Sequence, residues 1–153
     1  MATEPTPIPT PEDLRASVGR SFGPTDWFEI TQERIDAFAE ATGDHNWIHV
    51  DAERARRGPY GATIAHGHLT SSLAPMFLSQ LMKIGFGRRL NYGSDKVRFP
   101  EPVPCGSRIR ARATITDLDE RPSGLLLRTQ IVVEIEGKQR PACVAESLRF
   151  IAH

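Results

Sequence analysis

The sequence predicts an α+β fold in which an antiparallel sheet wraps a long helix. Two observations carry this expectation. Helix-period patterns fill the first half of the chain, and from Asp95 onward the apolar period falls from 3.6 to 2. The βαβ alternation that would signal a parallel sheet is absent.

Each element has its own residues. Trp27 to Ile30 reads as a short strand, after which Thr31 offers an N-cap hydroxyl and Glu33 a first-turn carboxylate. Ile35, Phe38, Ala39 and Thr42 then recur at three- and four-residue spacing, and Gly43 stands where a left-handed C-cap is wanted. Asp51 caps a second short helix through Ala52, Arg54 and Ala55 that ends at Gly58-Pro59. Leu69, Leu73, Met76, Phe77 and Leu81 share one broad face of the longest helical pattern, which follows His66-Gly67 and which Pro75 should kink. In the second half Ile109, Ala111, Ala113 and Ile115 alternate with Arg108, Arg110, Arg112 and Thr114, the pattern of a strand with one buried face. Leu127, Thr129, Ile131, Val133 and Ile135 repeat that pattern, and Glu136-Gly137-Lys138 turns the chain into a last strand over Ala142 to Ile151.

A chain of 153 residues fits one domain that buries roughly two thirds of its unfolded surface. Four prolines between Glu4 and Pro11 favour extended backbone, so residues 1–11 are expected to be a flexible arm ahead of a single domain over 12–153. Nineteen Lys and Arg balance nineteen Asp and Glu, which leaves no net field to recruit nucleic acid or an anionic membrane. No window approaches the roughly 18 apolar residues of a membrane span, and the N-terminus lacks a basic segment followed by an apolar run. Cys105 and Cys143 form neither a close pair nor a metal-type cluster. A soluble, cytoplasmic protein is expected.

The chemistry is expected in Thr42 to Asp51, which holds two histidines, two carboxylates and an amide. A carboxylate and an imidazole that converge on one water can take a proton from it and deliver one elsewhere, and Asp44 and His49 are the candidates. On a continuous helix five residues turn roughly 500°, leaving the two side chains about 140° apart. They converge only if the chain turns between them, which Gly43 and Asn46 permit. The competing structural reading has Asp44 satisfying the end of the helix and His49 bonded to backbone. Further on, Gly67 opens the most apolar helix, where an unpaired backbone N–H can hold a developing oxyanion. A metal reading is also open. His45 and His49 share a face if helical, His66 and His68 share a face if extended, and four histidines could ligate zinc or iron. Gly43 and Asn46 argue against a helix there, so no metal is expected.

Gly43-Asp44-x-Asn46-x-x-His49, followed by His66-Gly67 before a long apolar helix, resembles the MaoC-like dehydratases, or R-specific enoyl-CoA hydratases, of the hot-dog fold. Ile30-Thr31-Gln32, Asn91-Tyr92-Gly93, Lys96-Val97-Arg98-Phe99-Pro100-x-Pro102-Val103 and Pro141 to Ser147 look like the branch containing nodulation protein N-like proteins and a mycobacterial hydratase. The likeness covers roughly residues 12 to 152. It implies an antiparallel sheet around a central helix, Asp44 and His49 as catalytic pair, the Gly67 amide on the thioester oxygen, and Asn46 as an orienting neighbour. It also implies a homodimer and an enoyl-CoA substrate, with coenzyme A part of that substrate and no separate cofactor. Two positions depart from the family pattern. Trp47 stands where proline is usual, and Pro75 falls near the place of a small hydroxyl.

Coenzyme A needs positive charge near the pocket mouth, and Arg98, Lys96 and Arg57 are the first candidates, with Arg54, Arg56 and the Arg108, Arg110, Arg112 stripe behind them. Arg98 lies between Val97 and Phe99 in a strand-like run, a place that turns it inward toward a substrate or a partner subunit, or into an inner ion pair, which explains it equally well. Trp27, Trp47, Tyr60, Phe77 and Phe86 line an acyl tunnel or fill the core. The rival functions are a hot-dog acyl-CoA thioesterase, whose motif lacks this spacing, and a non-catalytic acyl-thioester binding module.

Overall fold

The computed structural model describes residues 4 to 153. Among them the order is β1 (Thr6–Ile8), α1 (Pro11–Ala16), β2 (Ser21–Phe22), β3 (Phe28–Glu29), α2 (Gln32–Thr42), α3 (Trp47–Val50) and α4 (Ala52–Arg56). Then come α5 (Gly67–Ser72), α6 (Ala74–Leu81), β4 (Met82–Ile84), β5 (Arg88–Arg98), β6 (Arg108–Arg121), β7 (Gly124–Ile135) and β8 (Cys143–Ala152). The main sheet runs β2-β6-β7-β8-β5 with β3 also on β6, and all its pairings are antiparallel.

Alternation in β6 and β7 decides which face packs inward. Ile109, Ala111 and Ala113 lie opposite Ile135, Val133 and Ile131, and all six are buried. A one-residue slip would carry this entire set to the wet face. On that outer face Arg110 and Arg112 both bond Glu134, at 2.7 and 2.9 Å, and Arg108 pairs with Glu136. Burial pulls the Glu134 carboxyl up, but the two guanidinium bonds outweigh it and hold the group below its ordinary range. Against the inner face, α5 packs on β8 and α6 on β6. Phe77 is fully buried and meets Phe28 edge-on at 6.2 Å. The result is the hot-dog fold, a sheet wrapped around a helical rod.

Pro75 does more than kink that rod. The helix stops at Ser72 and restarts at Ala74, with Pro75 in the first turn of α6. Proline supplies no N–H and its ring collides with the carbonyl four residues back, so the regular ladder cannot continue through it. Leu73 keeps right-handed dihedrals, φ −80° and ψ −9°, and the two segments stay nearly end to end.

The expectation of a flexible arm needs correction. Residues 1 to 3 lie outside the described residues, but Thr6–Ile8 forms a strand that pairs in parallel with Met82–Ile84, and Ile8 is 1% exposed. Pro7 is tolerated because a two-stranded edge leaves some backbone N–H groups without a ladder role. Pro11 then starts α1 rather than ending an arm, with the Thr10 hydroxyl accepting from Asp13 N. The isoleucine outweighs the prolines around it. Ile8→Ala should cost about 2–5 kcal/mol in urea unfolding, whereas a loss below about 0.5 kcal/mol would show that the segment is not docked.

Candidate active site

The chain turns between Asp44 and His49 as the spacing requires. Gly43 ends α2 at φ 77°, its N–H donating to Ala39 O at 2.8 Å. A Cβ there would meet nothing within 4 Å, so the glycine supplies a backbone angle rather than space. Asn46 then works twice. Its N–H donates to Asp44 Oδ1 at 3.3 Å, and its side-chain oxygen accepts from Ile48 N at 3.3 Å, capping the four-residue α3 that carries His49. The contacts Asn46 makes to the turn are thus its main-chain N–H and its cap.

His49 is 8% exposed, and its Nδ1 lies 2.7 Å from the carbonyl of Ile64. A carbonyl only accepts, so Nδ1 carries the proton and the Nε2 lone pair is left free. Gln32 braces the same turn, donating to His49 O at 2.8 Å and accepting from the Thr63 hydroxyl at 2.6 Å. The Asp44 carboxylate is exposed. A carboxylate oxygen of Asp44 and one ring nitrogen each from His49 and His66 lie within 4.8 Å of one another, a span that one water bridges when it bonds two groups at about 2.8 Å.

These residues open on a cavity of about 540 Å³ that Gly67, His68 and Phe99 also line. Gly67 is the first residue of α5, so its N–H has no partner within the helix. Phe99 packs flat against it. A Cβ on residue 67 would come within 2.8 Å of the Phe99 ring, and His68 meets that ring edge-on at 5.5 Å. A larger groove of about 660 Å³ between residues 20–28 and the end of α6 is lined by neither histidine nor cysteine.

Several expectations change in the folded chain. The four histidines do not converge, because His45 is exposed and leans on Glu40 at 3.5 Å. Asp44, His49 and His66 do come together, but the two imidazoles are stacked, 3.8 Å apart and only 24° from parallel. Nitrogen lone pairs lie in the ring plane, so planes so nearly parallel cannot meet at the roughly 2 Å of a metal–nitrogen bond. Arg98 is exposed, and its guanidinium donates to Val97 O at 2.8 Å, so it does not face inward. Lys96 is exposed at a bulge of β5 with φ 51°, and Arg57 reaches toward Glu53 at 4.0 Å. Arg110 and Arg112 are taken by Glu134 of β7 and Arg108 by Glu136 just beyond it, and Arg54 lies over Trp47 at 4.2 Å. Trp47 packs against Gly58 and does not line the cavity. Of the five aromatic candidates only Phe77 is fully buried, while Tyr60 is exposed.

The stacking of His66 beneath the pair was not anticipated, nor were the parts of Gln32, Thr63 and Ile64. A histidine inside the apolar run Ile64-Ala65-His66-Gly67 was the available signal.

Residues 13 to 134 match the family model described as MaoC like domain. Over 143 residues the chain is 49% identical to 3-hydroxyacyl-thioester dehydratase Z of Mycobacterium tuberculosis (strain ATCC 25618 / H37Rv), covering 92% of this chain and 95% of that one. It is 43% identical over 143 residues to Nodulation protein N of Rhizobium leguminosarum bv. viciae, covering 91% and 89%. The (R)-hydratase from A. caviae involved in PHA biosynthesis shares the fold at TM-score 0.72 and 23% identity, over 88% of this chain and 96% of that chain. The chain belongs to the MaoC-like dehydratase family.

Contact between Phe99 and Gly67 makes a specific demand. Gly67→Ala should destabilise the protein by about 1–3 kcal/mol through overpacking. In a Phe99→Ala background the same substitution should cost close to nothing. A double-mutant cycle read by chemical denaturation checks this, and equal costs in both backgrounds would contradict it.

Proposed function

We propose that the protein is an R-specific enoyl-CoA hydratase, adding water across the double bond of a trans-2-enoyl-CoA to give the (R)-3-hydroxyacyl-CoA, and catalysing the reverse dehydration. The observation that carries this reading is the His49 tautomer. With Nδ1–H committed to Ile64 O, Nε2 is left to accept a proton, and a His49 ring nitrogen lies within 4.8 Å of an Asp44 carboxylate oxygen, a distance one water spans.

In the forward direction the water oxygen bonds to Cβ as the pair accepts a proton from it. The π electrons of the double bond move toward the thioester oxygen, where the Gly67 N–H stabilises the charge. The pair then returns a proton to Cα, and the enolate collapses to the hydroxyacyl thioester. No electron or hydride is exchanged, so no redox cofactor is required, and the coenzyme A moiety travels with the substrate. The identity with a 3-hydroxyacyl-thioester dehydratase supports this reaction type, and the fold shared with (R)-hydratases supports its stereochemistry. For the coenzyme A phosphates, the exposed Lys96, Arg98 and Arg57 remain the proposed contacts, because each lies on the surface and Arg57 is held only by a 4.0 Å pairing with Glu53.

The proposal includes a homodimer. β5 sits at the end of the sheet with only β8 beside it, and Leu90 and Tyr92 on it are 56% and 66% exposed. An exposed, unpaired edge of this length that carries two large apolar side chains is a pairing surface, and a second β5 would cover it.

Asp44→Asn and His49→Ala should each lower kcat for crotonyl-CoA hydration by about 10² to 10⁴, the ordinary scale of general acid-base catalysis. Loss of the enoyl absorbance follows the reaction. Wild-type rates in both variants, or release of free thiol in place of hydration, would defeat the proposal.

A further inference from the structure

His66 is a buried polar group of the site that the proposed reaction does not use. It is 3% exposed, and its Nδ1 is buried without a hydrogen-bond partner among the described residues. A buried polar atom left unpaired works against folding. A phenylalanine would fill the same slot and offer the same stacking surface without that defect. What the imidazole adds is Nε2–H, and that group donates to the main-chain carbonyl of Asp44 at 2.9 Å.

The contacts of this one residue reach all three parts of the site. Its ring stacks on His49 at 3.8 Å, its Nε2–H bonds the Asp44 carbonyl, and its own peptide leads into Gly67 as the N-cap of α5. Phe38 packs on the ring as well, at 4.9 Å. His49 cannot swing out of its plane without displacing a neighbour that is itself buried. Asp44, by contrast, is exposed, and among the described residues the bond from His66 is the contact that ties its carbonyl to the floor of the cavity.

We infer that His66 is a positioning residue for this hydration, held in the Nε2–H tautomer, opposite to that of His49, and fixing the Asp44 backbone against the His49 ring through that single donor. Its part in the reaction runs through Asp44 and His49, the two groups its ring and its Nε2–H contact. The inference rests on the hydratase reading for its kinetic consequence, but its structural half stands apart from turnover.

Two measurements test it. Long-range proton–nitrogen correlation spectra of the unliganded protein assign imidazole tautomers without any substrate. They should show Nδ1–H for His49 and Nε2–H for His66; a proton on His66 Nδ1 alone, or rapid averaging between its two nitrogens, overturns the inference. The second is steady-state hydration of crotonyl-CoA by wild type, His66→Phe and His66→Gln. Phenylalanine keeps the stacked ring and loses the donor, while the glutamine amide places an N–H where Nε2 was. His66→Phe should lower kcat by about 10- to 100-fold, the scale of a misplaced catalytic group, with KM held within about threefold. His66→Gln should recover kcat to within about threefold of wild type. Unchanged kcat in His66→Phe, or an equal fall in both variants, overturns the inference. Should His66→Phe lose its cooperative thermal unfolding, His66→Gln decides alone: wild-type-like kcat supports the donor role and a fall like that of Asp44→Asn refutes it. If wild type itself hydrates no enoyl-CoA, the functional reading has failed, and the tautomers still decide the place of His66.

Discussion

The proton shared between His49 Nδ1 and the Ile64 carbonyl at 2.7 Å is the constraint on which the site depends. It selects the tautomer, leaves the other ring nitrogen free to accept, and anchors a side chain that would otherwise be able to turn. Removing either partner would strand a buried polar group at about 1–3 kcal/mol. The carbonyl is itself held in place. Ile64 N donates to Ile48 O at 3.0 Å, Ala65 N to Val103 O at 2.8 Å, and Cys105 N to Thr63 O at 2.8 Å. The segment from 63 to 65 is thereby stitched to α3 on one side and to the run before β6 on the other. The imidazole is registered to the sheet through backbone alone.

The two members of the pair sit in opposite environments. His49 is buried and fixed by a neutral hydrogen bond, whereas Asp44 is exposed and held by a backbone N–H from Asn46 and, through its carbonyl, by His66. The left-handed turn at Gly43 makes this division possible, because it frees residues 44 to 46 from the helix before α3 begins. Elsewhere burial has the opposite use. It pushes the Cys143 thiol up to about 11, which leaves that residue a packing group of the inner face.

Much of this was legible in the sequence. The caps at Thr31 and Asp51, the αL glycine at 43 and the alternation of β6 and β7 are local patterns, and each appears where those patterns place it. Local rules failed where pairing is distant. β5 is exposed along nearly its whole length, so Arg88 to Arg98 shows no alternation, and only its partner β8 makes it a strand. β1 and β4 are three-residue strands that define each other across more than seventy residues of chain. At the site, Asp44, His49, Gly43 and Gly67 came from spacing and turn chemistry. His66 did not, since its contacts with residues 44 and 49 exist only after the chain has folded back. The inward placement of Arg98 failed for a related reason: the bulge between Asp95 and Arg98 breaks the alternation on which it relied.

The central claim is that Asp44 and His49 share one water beside the Gly67 amide. A crystal structure of the Asp44→Asn variant with crotonyl-CoA bound tests it most directly. The thioester oxygen should accept from Gly67 N–H, with one water about 3 Å from both the side chain at position 44 and His49 Nε2, facing Cβ. An acyl group bound away from this cavity, or a water reached by only one of the two side chains, would contradict the account.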